Sequence, residues 1–192
     1  MSRQLPDDFG TCGMDPADLP TGDAPDYTGA VVTLLPSDPA AIAVADGDAP
    51  EQLHVTLMYL ADDASTLADA DVQKLADAVA QAAAQVGGPF EARVSGIGQL
   101  GADGATVMFL DSPEIEVLHQ AVVLAVESTG VEVAEQWPSF VPHLTLVYED
   151  AGSFAERAAE LAGRVGSTVT LDRIGFHLAS NVFERTLGAA HP

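Results

Sequence analysis

The sequence predicts an α+β fold with antiparallel sheets, arranged as two related lobes around a central cleft. Three observations support this. Segments of strand character come in clusters in both halves of the chain, separated by stretches of helical period, whereas a doubly wound fold alternates strand and helix singly. Two short segments nearly repeat each other, His54-Val55-Thr56-Leu57-Met58-Tyr59 and His143-Leu144-Thr145-Leu146-Val147-Tyr148. Each repeat is followed within a few residues by acidic residues, a small-residue turn and a helix, as two copies of one unit would be.

Taken in order, residues 1–27 contain four prolines, six aspartates and three glycines without periodicity, and read as an acidic tail, disordered or loosely draped over the domain. Residues 28–190 read as one domain. Ala30 to Leu35 is a short apolar strand stopped by Pro36, and the first repeat lies on a strand over Leu53–Leu60. Asp62-Asp63 and Ser65-Thr66 offer caps for a helix over Leu67–Val86, whose Leu67, Val72, Leu75, Val79 and Ala83 follow helical spacing up to Gly87-Gly88-Pro89. Strands over Phe90–Leu100 and Ala105–Leu110 are joined by a hairpin-like turn, Gly101-Ala102-Asp103-Gly104. Ser112 caps a second helix that runs to Ser128, with Pro113 in its first turn and Glu114 complementing the dipole. The second repeat lies on a strand over Val141–Glu149. A third helix over Phe154–Val165 and closing strands over Val169–Leu178 and Phe183–Leu187 complete the chain.

Composition narrows the function classes. An apolar fraction of 47% in 192 residues is enough for a folded core. The net charge of -22, from 29 acidic residues against 7 Lys and Arg, repels long polyanions, because nucleic-acid affinity rests on Lys and Arg displacing counterions. A small nucleotide held by hydrogen bonds remains compatible; solubility or salt adaptation explains most of the charge. Cys12, the single cysteine, allows no internal disulfide or thiolate metal site and has no basic neighbour to activate it. The first residues lack the basic and apolar blocks of a signal peptide, and no apolar run reaches the roughly 18–20 residues of a membrane span. The expectation is a soluble, cytoplasmic protein that engages no membrane and is monomeric.

The repeat carries the chemistry. In a strand, residues two apart share a face, so each His and its Thr point the same way. Histidine titrates near neutrality, so one imidazole can act as base while the other, protonated, acts as acid on either side of a phosphodiester. The Thr hydroxyls can donate hydrogen bonds to the non-bridging oxygens and steady the charge of the transition state. No metal or cofactor is needed. A lone strand histidine is usually structural, and a lone Thr is an ordinary strand former; strand propensity alone does not place His twice in the same setting. A metal site using His54 and His143 is the weaker chemical reading, since no third ligand occurs at fixed spacing.

The two His-x-Thr-x motifs, the first preceded by Leu53 and the second by Phe140-Val141-Pro142, make the chain similar to the two-histidine (2H) phosphoesterase superfamily, which includes 2′-5′ RNA ligase-like proteins. The order of elements from about residue 29 to 188 shares the resemblance. It implies a bilobal fold with pseudo-symmetric antiparallel lobes, helices outside and a central cleft. It also implies metal-independent cleavage of phosphodiesters such as 2′,3′-cyclic phosphates, 2′-5′ oligoadenylates or cyclic oligonucleotide signals. By this resemblance His54 and His143 form the acid–base pair and Thr56 and Thr145 orient the phosphate, without assigning which His is base. Several relatives carry basic residues near the cleft; the candidates here, Arg93, Arg173 and Arg185, are few, which counts against RNA-end processing and ligation and favours a small nucleotide or short oligonucleotide. Trp137 and Phe140 are candidates to contact the substrate. Tyr59 and Tyr148 have the opposite strand parity from the histidines and read as core or back-face residues, while His119, His177 and His191 read as incidental. The contrasting expectation is a module that keeps the fold for nucleotide binding or for assembly, without catalysis.

Overall fold

The computed structural model describes residues 10–11, 28–101, 104–148 and 153–188. Most of the acidic tail, with Cys12, and also His191 and the Ala102-Asp103 tip of the hairpin lie outside the described residues. Within the tail Gly10–Thr11 forms a two-residue strand, β1.

Among the described residues, eight strands form an antiparallel sheet with four helices packed on it. The strands are β1, β2 (Ala30–Pro36), β3 (Val55–Ala61), β4 (Phe90–Leu100), β5 (Ala105–Asp111), β6 (His143–Tyr148), β7 (Thr168–Leu178) and β8 (Asn181–Thr186). The helices are α1 (Pro39–Ile42), α2 (Asp69–Val86), α3 (Pro113–Ser128) and α4 (Phe154–Leu161).

The long strand β7 organises the sheet. β2 runs along one of its edges, and the other edge is shared end to end by β4, up to Leu171, and β8, from Arg173. Two three-stranded units result, β7-β2-β3 and β4-β5-β6, joined through the β4–β7 pair. Each unit ends on a strand that carries one copy of the repeat. The two terminal strands, β3 and β6, approach each other without forming a ladder, so the sheet does not close. This is the α+β, two-lobed antiparallel architecture that the clustered strands predict.

One core joins both lobes. α2 buries Val72, Leu75, Ala76, Val79, Ala80 and Ala83 at helical spacing, and α3 buries Ile115, Leu118, Val122 and Val126. α2 ends where Gly87 takes a left-handed conformation (φ 80°), open only to a residue without Cβ at little cost. The caps differ from expectation. Asp63 accepts from Ser65 N at 2.8 Å and caps a 3-10 turn over Ala64–Thr66, so α2 starts two residues late. Ser112 occupies the N-cap of α3, but its hydroxyl donates to Glu114 at 2.8 Å and not to the first turn's backbone.

Candidate functional site

Both motif histidines stand at a strand entrance. His54 immediately precedes β3, one residue outside the strand, and His143 is the first residue of β6. Each ring is held in the same way. His54 Nδ1 lies 2.6 Å from the Gln52 carbonyl, and His143 Nδ1 lies 2.7 Å from the Val141 carbonyl, two residues back in each case. A carbonyl oxygen can only accept, so Nδ1 carries the proton in both rings. The free Nε2 atoms are left to exchange protons with a ligand.

The registers of the two lobes match residue for residue. Thr56 lies opposite Thr33, and Thr33 opposite Gly175. Thr145 lies opposite Val107, and Val107 opposite Gly98. Each motif threonine therefore faces the third strand's glycine across the middle strand. The glycines leave room on that face for the neighbouring side chains. A Cβ on Gly98 would collide with the Phe109 ring, and one on Gly175 would stand 2.6 Å from Thr33 Oγ1 and 3.0 Å from His177 Nε2.

The tyrosines lie on the site face, against the parity argument. A β-bulge after Thr56 places Met58 opposite Val32 and Tyr59 opposite Val31, and a bulge after Thr145 brings Val147 opposite Thr106 and Tyr148 opposite Ala105. One extra residue reverses the alternation. Tyr59 and Tyr148 therefore share the face of their His and Thr.

Each motif strand would otherwise present bare backbone at its outer edge, and the segment preceding the other motif covers it. Ala134 N donates to Leu60 O at 3.0 Å, while Gln136 donates to Tyr59 O at 2.7 Å and accepts from Tyr59 N at 3.1 Å. His119, on α3, donates from Nδ1 to Leu57 O at 2.8 Å. Across the cleft, Asp48 N donates to Leu146 O at 2.9 Å. This reciprocal capping satisfies an exposed edge and fixes the spacing of the two strands. Gly47 is needed for it, since a Cβ there would overlap Leu146 O and Val44. Gly47→Ala is expected to destabilise the fold by about 1–3 kcal/mol through overpacking against backbone, measurable as a lower denaturant midpoint; an unchanged midpoint would show that the loop yields freely.

The remaining candidates separate. Trp137 is 77% exposed in the segment leading to the second motif. Phe140 is half-buried, packs against the core, and stacks on His119 with ring centroids 3.8 Å apart at 8°. His119 is thus structural. Among the arginines, Arg93 is exposed on β4, and Arg173 is engaged by Glu184 at 2.5 Å and by Asp172 at 3.2 Å. Arg185 is buried opposite Ile174, on the face away from Gly175.

His177 is the residue that sequence reasoning missed. Its Nε2 is 2.8 Å from Thr33 Oγ1, and its ring centroid lies 5.7 Å from that of His54, tilted by 45°. Burial, helped by the charge of His54, pushes its pKa down to about 3. Burial likewise lowers the pKa of His54; the Gln52 carbonyl opposes this, and the charge of His143 adds to it. The two motif imidazoles therefore feel each other across one space. No group of three or more His, Cys, Asp or Glu arranged to hold a metal occurs among the described residues.

The depressed His177 gives a stability dependence with a definite sign. Its folded pKa lies below the unfolded value of 6.5, so the unfolded state binds the extra proton between those limits. Its contribution is present above pH 6.5 and is lost as pH falls toward 3, by at most about 1.4 kcal/mol per pH unit. Protonation of the many carboxylates changes stability too, so the clean measurement is the difference between wild type and His177→Leu. That difference is expected to move against the wild type between pH 6.5 and about 4.5; a constant difference would show that His177 protonates as readily folded as unfolded.

The model of the 2′-5′ RNA ligase superfamily matches residues 44–181, a span that holds both motifs and both capping segments. The chain belongs to this superfamily of 2H phosphoesterases. No curated protein matches the sequence. Among solved structures, TT0787 of Thermus thermophilus superposes with a TM-score of 0.60 at 18% identity, covering 85% of this chain and 100% of that one. E. coli LigT complexed with 3′-AMP superposes with a TM-score of 0.51 at 14% identity, covering 83% and 95%. At these identities the superpositions show the fold alone, which here is the superfamily's. No helix among the described residues is long and apolar enough to cross a membrane.

Proposed function

We propose that this superfamily member is a metal-independent phosphodiesterase that hydrolyses a 2′,3′-cyclic or 2′-5′-linked nucleotide, with His54 and His143 as the acid–base pair. The observation that carries the reading is the matched tethering of the two rings, each Nδ1 fixed on the carbonyl two residues back and each Nε2 left free. Two imidazoles with the same free atom, on strands that face each other, can remove a proton from water and give one to a departing oxygen in a single pass. Thr56 and Thr145 lie in matching registers and donate to the non-bridging oxygens.

A small substrate suits the surroundings. Of the three strand arginines, Arg173 is already paired with two carboxylates and Arg185 points away from the site. A site with little free positive charge suits one phosphodiester better than a polyphosphate or a long RNA. LigT has been solved with 3′-AMP, a nucleotide of the size this reading requires. Trp137 supplies an exposed ring for a base to stack on, and Phe140, clamped on His119, braces the segment that carries it. The protein acts in the cytoplasm as a monomer in this reading.

The test is a panel of 2′,3′-cyclic nucleotides, 2′-5′ dinucleotides and cyclic oligonucleotides, incubated with the protein in excess chelator. Turnover of at least one class supports the reading. Turnover that appears only with added divalent metal overturns the metal-independent mechanism, and failure across the panel favours a binding or assembly role.

A further inference from the structure

The two half-sites share their tethering and register, and they differ at neighbouring positions. On β7 the position two beyond Gly175 is His177; on β4 the position two beyond Gly98 is Leu100. Likewise the middle strand offers the hydroxyl of Thr33 in one lobe and the methyls of Val107 in the other. The hydroxyl and the extra imidazole bond to each other at 2.8 Å, which fixes His177 with its ring 5.7 Å from His54. His54 is thereby walled by a second imidazole, whereas the matching lobe offers Leu100 and the apolar ring of Phe109, which lies over Gly98 and pairs with His143.

We propose that His177 is a positioning residue that makes the two catalytic imidazoles unequal, keeping His54 uncharged as the proton acceptor and leaving His143 as the proton donor. This rests on the phosphodiesterase reading for its chemical meaning, but the inequality itself is a property of the free protein. The charge that acts on His54 is that of His143 from β6, while His177 from β7 stands against it as a second ring on which the charge of His54 acts in turn. Neither rewards a positive charge on His54 as a carboxylate would, and the His177 wall excludes the water that would otherwise solvate it. The low pKa of His177 keeps that wall neutral.

In the hydrolytic step His54 Nε2 accepts a proton from water as the water oxygen bonds to phosphorus. His143 Nε2 gives its proton to the ester oxygen as the P–O bond breaks. The products are a phosphomonoester and a free hydroxyl, with the proton balance restored by exchange with solvent.

Histidine titration by NMR tests this without a substrate. The wild-type protein is expected to show His54 titrating below the usual range, and His177→Ala should raise the His54 midpoint by about one pH unit, with a smaller movement at His143. Thr33→Val, which removes the anchoring hydroxyl at nearly constant shape, should move His54 the same way by less, and so covers the case in which His177→Ala does not fold. An unmoved His54, or equal movement of both histidines, overturns the proposal. The direction of proton flow has its own readout. On an aryl phosphodiester with a p-nitrophenolate leaving group, which departs without a proton, His143→Ala should recover at least tenfold relative to its loss on an alkyl ester, while His54→Ala should not. Recovery by His54→Ala would reverse the assignment. Failure of every phosphodiester alongside the expected titration would remove the phosphodiesterase reading and leave the inequality standing.

Discussion

Replacing His54 or His143 by Ala is expected to lower kcat by about 10²–10⁴-fold on whichever phosphodiester the wild-type protein cleaves best, with the denaturant midpoint nearly unchanged. Both rings sit at strand entrances and are only partly buried, so their removal opens little cavity. The double variant is expected to fall well short of the product of the two single losses, because the two groups serve one step and act as a unit. Steady-state kinetics with a thermal melt on each variant checks this. Full activity in either single variant would remove that histidine from the mechanism.

The second large effect concerns the threonines. Thr56→Val and Thr145→Val keep the volume and the strand preference but delete a donor, so the cost should fall on kcat by about 10²-fold each, the scale of one lost oxyanion donor. Both hydroxyls sit in the same register relative to a glycine, which predicts similar losses in the two variants. A rise in KM with kcat unchanged would instead mean that the hydroxyls hold the ground state equally well.

The parts of this molecule that obey a simple period were legible. α3 was readable to the residue because Pro113 marks its first turn and its apolar residues recur at helical spacing. The paired motifs were readable because they are a repeat, and a repeat survives ignorance of the fold around it. What escaped had no local signal. The bulges after Thr56 and Thr145 break the two-residue alternation on which face assignments depend, so both tyrosines were placed on the wrong side. The segment around 134–136 carries no strand or helix pattern, and its role in capping β3 exists only once the two lobes are assembled. His177 was hidden because its counterpart in the other lobe is Leu100, so nothing in the repeat pointed to it. Ser112 shows the reverse error. A residue type ideal for capping bonded to Glu114 when that carboxylate was nearer at hand.

The central claim, a metal-free pair of imidazoles working on one phosphodiester, is tested most directly by the pH dependence of kcat/KM in excess chelator. A bell is expected, with the acidic limb set by His54 and lying below the usual histidine range, as burial requires. A profile without an acidic limb in that region, or activity that vanishes with the chelator, would contradict it.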